Sequence, residues 1–182
     1  MNIETKRLKL VEICWDDLEN IHDIHSLPEI DEFNTLGIPK NLDETKSVMK
    51  PDIEDQEKTL RSRFGWKIQL IETDEFVGLA GMFLSNDKYK MGEFYYKFYP
   101  KYWGKGYAIE VAKELIKFGF HEFNLHRIEA GVATENKASV RVLEKAGMTC
   151  EGTRRKILPI RGEWIDNFHF AIIEDEFINI KK

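Results

Sequence analysis

Apolar residues recur along this chain with two different periods, and the switches between them mark out the elements. Residues 108–119 place Ala108, Val111, Ala112, Leu115, Ile116 and Gly119 at i, i+3, i+4, i+7, i+8 and i+11. That spacing predicts one buried face of a helix. Alternation over 5–13, and Ile128, Ala130 and Val132 on one face of 125–133, predict strands, and 66–72, 76–84 and 92–99 read as strands too. Thr73-Asp74-Glu75 predicts a hairpin between 66–72 and 76–84. A short helix is expected after Asp16-Asp17, carrying Leu18, Ile21 and Ile24. Another is expected over 136–146, closed by Gly147. Residues 149–158 and 164–176 predict a last antiparallel pair, turned near Arg161-Gly162. The stretch 28–62 holds Pro28, Pro39, Pro51 and many acids, with short helical patterns between, and reads as the least regular region. Strands around two central helices predict an α/β domain with a mixed sheet and helices on both faces.

One junction stands out. The strand 92–99 ends at Pro100, and Trp103-Gly104-Lys105-Gly106-Tyr107-Ala108 leads directly into the 108–119 helix. The first N–H groups of a helix have no intrahelical partner, and its dipole adds partial positive charge. Glycine lets a ligand approach the backbone. The junction is therefore an anion cradle suited to phosphate. A plain helix start with two loop glycines is the alternative. The P-loop pattern is not present, and Ile109 stands where a dinucleotide fingerprint needs its third glycine.

The cradle resembles motif A of the GNAT superfamily of N-acetyltransferases, V-x-P-x-x-Q/R-G-x-G-x-G/A, with Trp103 in place of Gln or Arg. W-G-K-G-Y-A followed by Glu110 is similar to the RimJ/RimL-like branch. Asn136-Lys137-Ala138-Ser139 with Leu143 to Met148 resembles the family's N-x-x-A/S…L-x-x-x-G-F element, and Thr5-Lys6-Arg7-Leu8-Lys9-Leu10 its first strand. The resemblance spans nearly the whole chain. It implies a single GNAT-like domain over 1–182, with a mixed, mostly antiparallel sheet of about seven strands and a splayed V-shaped central cleft. It also implies acetyl-CoA as co-substrate and a primary amine as acceptor, on a small molecule or a protein N-terminus. Transfer would be direct, without a covalent enzyme intermediate and without a metal. Residues 28–62 would form the variable acceptor side.

Carried residue by residue, the resemblance puts pyrophosphate on Trp103, Gly104, Lys105, Gly106, Tyr107 and Ala108. Pantetheine would pair with the strand ending at Phe98 and bond to Asn136. Trp103 shields the pyrophosphate or packs; Lys105 meets phosphate or water; Asn136 caps its helix, binds pantetheine, or both. The family's usual tyrosine acid falls at Leu143, which cannot donate a proton. Ser139 is then the group expected to support the leaving thiolate. Glu93, in Gly92-Glu93-Phe94-Tyr95-Tyr96, is the candidate base, with a surface glutamate as the alternative. The branch's second glutamate falls at Leu158, and no acid replaces it. A non-catalytic acyl-CoA sensor is the other class of function these departures allow.

Charge and cysteine content narrow the picture. With 27 basic and 32 acidic residues the net charge is −5, which speaks against a nucleic-acid grip. No apolar run reaches the roughly 20 residues that span a bilayer. Cys14 and Cys150 form no CxxC pair and read as reduced thiols of a cytoplasmic protein, Cys150 in the core. His22 and His25 stand three apart on a helix without a third ligand, and read as solvated or core residues. His126 and His169 read as structural. A monomer or homodimer fits the family, and the last residues, 180–182, read as disordered.

Overall fold

The structure is a computed structural model that describes residues 1–85 and 88–180. Its strands are β1 Ile3–Glu4, β2 Leu8–Glu12, β3 Arg63–Leu70, β4 Phe76–Leu84, β5 Met91–Phe98, β6 Arg127–Ala133, β7 Thr149–Ile160 and β8 Glu163–Ile173. They form one sheet in the order β1-β2-β3-β4-β5-β6-β8-β7. All pairings are antiparallel except β5 with β6. The strand beyond the expected seven is β1, two residues that fold back on β2. The helices are α1 Leu18–His25, α2 Pro28–Asp31, α3 Leu42–Asp55, α4 Tyr107–Glu122, α5 Lys137–Lys145 and α6 Glu174–Ile180.

The helices cover both faces and divide the core in two. On one face Val111, Ala112, Leu115 and Ile116 of α4 pack against Trp66, Ile68, Met82, Phe94 and Ile128. On the other, Ile21 and Ile24 of α1 and Met49 of α3 pack on Leu79. β4 is buried from both sides, which accounts for its nearly continuous apolar run rather than a clean alternation. Gly147 takes φ 91° after α5. The Gly147 N–H reaches the Glu144 carbonyl at 3.0 Å and the Met148 N–H that of Leu143 at 3.1 Å, a Schellman ending.

Three expectations change. The 28–62 stretch contains a full helix, α3, started by Asn41 Oδ1 accepting the Glu44 N–H at 3.0 Å and running through Pro51. β8 stops at Ile173, where Glu174, Asp175 and Glu176 open α6; acids suit a helix N-terminus. Cys150 is exposed on the edge strand β7 rather than buried in the core. Of the tail expected to be disordered, Lys181 and Lys182 lie outside the described residues. No described helix is long and apolar enough to cross a membrane.

Candidate active site

The parallel pairing of β5 with β6 covers only Met91 with Arg127, Gly92 with Ile128 and Glu93 with Glu129. Beyond Glu93 the strands part. On its other edge β5 stays paired with β4 as far as Phe98. Residues 94–98 therefore present a backbone edge unpaired by any strand along one wall of a V, with the Phe98 carbonyl at its end taken by the Trp103 indole N–H. The cleft between the strands has a volume of about 480 Å3. Its walls include Phe94 to Phe98, Ala130 to Val132, Gly104 and Ala108 of the glycine turn, and Asn136, Ser139 and Leu143 of α5. From the 28–62 stretch, the lining residues fall between Glu29 and Thr35.

The cradle closes the open end of the V. Gly104 and Gly106 hold φ at 74° and 80°, values that cost an L-residue roughly 1–2 kcal/mol. A Cβ on Gly104 would meet nothing within 4 Å, and one on Gly106 only Arg7 Nη2 at 3.6 Å. The glycines thus serve backbone shape and leave the outer face of the turn open to a ligand. Gly106 caps α4 without a side-chain bond. Trp103 is 52% exposed; its indole N–H donates to the Phe98 carbonyl at 2.7 Å. It lines the cleft mouth instead of packing in the core. Lys105 is exposed, its Nζ 4.9 Å from the Tyr102 ring centroid. Tyr107 stacks on Phe98 at 6.3 Å and lies under Arg7 at 4.4 Å, so it braces the cradle from outside the cleft.

A clamp missed in the sequence holds this turn. Thr5 Oγ1 donates to Glu110 Oε1 at 2.6 Å, Arg7 Nε to Glu110 Oε2 at 2.7 Å, and Arg7 Nη1 to the Lys105 carbonyl at 3.1 Å. Burial would raise the Glu110 carboxyl, but the bonds from Thr5 and Arg7 and the guanidinium charge hold it below its ordinary value. Thr5, Arg7 and Glu110 were all visible in the motifs; their contact across the fold was not.

On α5, Asn136 Oδ1 accepts the Ser139 N–H at 3.0 Å. Asn136 is thus a helix cap, and no described residue accepts from its Nδ2, which is left for a ligand. Leu143 is buried in the wall and Leu158 faces the same cleft. Tyr96 lines the same cleft. Its hydroxyl is closed off from water beside Ser139 and makes no full hydrogen bond. Burial pushes the phenol up to about 12, against a small opposing effect of Ser139.

The opposite face of β5 carries Glu93, Tyr95 and Lys97. Glu93 is exposed at the closed end of the V and is not part of the cleft wall. Phe94 and Tyr96 point to the other face, while Phe83 of β4 stands opposite Glu93. Lys97 lines the cleft, and its Nζ lies 3.3 Å from His25 Nε2. Burial pushes Lys97 down to about 8. His25 is therefore a core residue with one edge on the site. His169 is buried between Glu129 and Arg154, while His126 is exposed before β6.

A sheet that splits beside a strand-to-helix glycine cradle defines an acyltransferase class of fold and site. The sequence profile of the GNAT acetyltransferase domain matches residues 7–149. The chain is 32% identical over 179 residues to YnaD of Bacillus subtilis, an uncharacterized N-acetyltransferase, covering 97% of this chain and 99% of that one. A GNAT-family acetyltransferase structure from Bacillus anthracis superposes with TM-score 0.82 at 31% identity, over 96% of this chain and 99% of that one. The spermidine N-acetyltransferase of Vibrio cholerae, solved with CoA and spermine, has TM-score 0.82 at 22% identity, over 94% and 98%. The chain belongs to the GNAT acetyltransferase family and is an N-acetyltransferase.

Proposed function

We propose that this enzyme transfers an acetyl group from acetyl-CoA to a primary amine within one ternary complex, as in the RimJ/RimL-like branch that Trp103 to Ala108 resemble. The observation that carries this reading is the parting of β5 from β6 beyond Glu93, with the open glycine cradle at its end. Acetyl-CoA supplies the activated acetyl group. The backbone N–H groups of residues 103–108 take the pyrophosphate. The free edge of β5 between Phe94 and Phe98 pairs with the pantetheine arm as a neighbouring strand would, and Asn136 Nδ2 donates to it.

Ser139 and Tyr96 flank the place of the thiol. An ordinary thiol titrates near 8.5, well below a phenol at about 12. Tyr96 therefore keeps its proton and acts as a hydrogen-bond donor to developing charge on sulfur, in the role Leu143 cannot fill. The acceptor enters past Glu29 to Thr35. Glu93, exposed at the closed end, receives the amine's proton through water. An α-amine needs little of this help. At pH 7 its deprotonation costs about 1 kcal/mol, against roughly 4.6 kcal/mol for a lysine-type amine.

Calorimetric titration with acetyl-CoA, repeated with Gly106→Glu, tests the reading. Binding by the wild type that the glutamate abolishes, with the melting temperature kept, is the expected result. A folded wild type that does not bind acetyl-CoA would end it. Acetylation of any amine then separates an enzyme from an acyl-CoA sensor.

A further inference from the structure

The acceptor half of the cleft contains an ammonium without a counter-ion and an amide N–H without an acceptor. Lys97 interrupts the aromatic run Phe94-Tyr95-Tyr96-Lys97-Phe98-Tyr99. Its ammonium contacts His25 Nε2 at 3.3 Å and lies 5.9 Å from the Tyr95 ring centroid. Among the described residues it has no carboxylate partner. Lysine only donates, so His25 Nε2 is the acceptor and the imidazole carries its proton on Nδ1. Burial, reinforced by the charge of Lys97 and by His22, pushes His25 down to about 3. The ring is neutral and supplies no counter-charge.

Asn34 adds a second donor to the same wall. Its Oδ1 already accepts the Leu36 N–H at 3.2 Å, which fixes the orientation of the amide. Its Nδ2 is closed off from water and meets no acceptor. An ammonium drawn out of water without a counter-ion, and an amide N–H left unmet, both cost stability. An apolar residue at either position would avoid that cost. A ligand with anionic oxygens satisfies both.

Resting on the amine-acetylation reading above, we infer that the acceptor is a primary amine that also bears a carboxylate, and that Lys97 and Asn34 hold this carboxylate. Glu29 and Glu32, exposed on the same wall, suit the ammonium end of such a zwitterion as it enters. A polyamine offers no anion and would bring further positive charge against Lys97. This separates the chain from a relative of its fold that binds spermine.

The test uses the full-length enzyme with acetyl-CoA and a panel of free α-amino acids. Each is paired with the amine left on removing its carboxylate, and spermidine is added as the cationic extreme. The wild type is expected to show a KM at least about tenfold lower for the carboxylate-bearing member of a pair, the scale of a charge-assisted bond. Lys97→Met removes that preference, read as the ratio of kcat/KM within each pair. Asn34→Asp, which keeps the shape but adds a negative charge, turns the preference against the carboxylate. The inference is overturned if the wild type prefers spermidine or the decarboxylated amines, or if Lys97→Met leaves the ratio unchanged. It is also overturned if no panel member is acetylated while acetyl-CoA still binds, a result that leaves the acetyltransferase reading standing. Loss of acetyl-CoA binding itself ends both.

Discussion

Arg7 and Glu110, 103 residues apart in the chain, meet with Arg7 Nε 2.7 Å from Glu110 Oε2. The same guanidinium reaches the carbonyl of Lys105 inside the cradle. One end of the sheet thus fixes the turn that would carry phosphate. Glu110→Gln keeps the shape and removes the charge. The expected outcome is a three- to tenfold rise in KM for acetyl-CoA, about 1 kcal/mol, with kcat within twofold. Steady-state kinetics with a fixed acceptor check it. A fall in kcat with KM unmoved would show that the clamp does not position the cradle.

The same pair predicts a pH dependence. The folded-state pKa of Glu110 lies below its ordinary value of 4.5. A depressed carboxyl contributes stability that is present above the ordinary value and is lost as pH falls through the folded one. Acetyl-CoA affinity should therefore hold from pH 7 to 5 and weaken below about 4.5 as the clamp protonates. Calorimetry across this range should show a smaller acid loss in Glu110→Gln than in the wild type. Equal losses would assign the effect to other carboxylates.

Those contacts mark the limit of what the chain showed on its own. The helix face from Ala108 to Gly119, the hairpin at Thr73-Asp74-Glu75 and the succession of strands along the chain were legible, because each depends on neighbours in sequence. The cradle was legible for the same reason: two glycines at a strand-to-helix junction carry their conformation with them. Glu93 is exposed, because Phe94 and Tyr96 beside it in the strand point to the opposite face. Tyr96 and Lys97 were not singled out. Their environments come from α5 and from α1, more than 40 and 70 residues away, and no local pattern reports that. The lysine within six residues that are otherwise aromatic was the one available signal.

The thiol side of the cleft gives the third prediction. Tyr96→Phe removes one oxygen that has no full partner in the protein, so the fold should keep its stability or gain slightly. Catalysis should lose the donor. A kcat lower by about tenfold, with KM for acetyl-CoA within two- to threefold, is expected for Tyr96→Phe and for Ser139→Ala. On the proposed reading both hydroxyls serve one sulfur, so the double variant should lose less than the product of the single losses. An unchanged kcat in Tyr96→Phe would return the ring to packing.

Glu93 gives the last prediction, and its exposure sets the size. A carboxylate at the closed end of the V, outside the cleft wall, reaches the acceptor only through water. Water can also accept the proton, so Glu93→Gln should lower kcat/KM by less than about tenfold. The loss should depend on the acceptor. An α-amine titrating near 8 is already partly neutral at pH 7, whereas a lysine-type amine near 10.4 carries a proton in all but about one molecule in 2,500. The variant should therefore be nearly silent toward the first and weaker toward the second. In both proteins kcat/KM should rise with pH toward the pKa of the acceptor itself. A hundredfold loss toward an α-amine, measured at pH 7, would mean that Glu93 takes the proton directly and that the cleft closes around it when substrates bind.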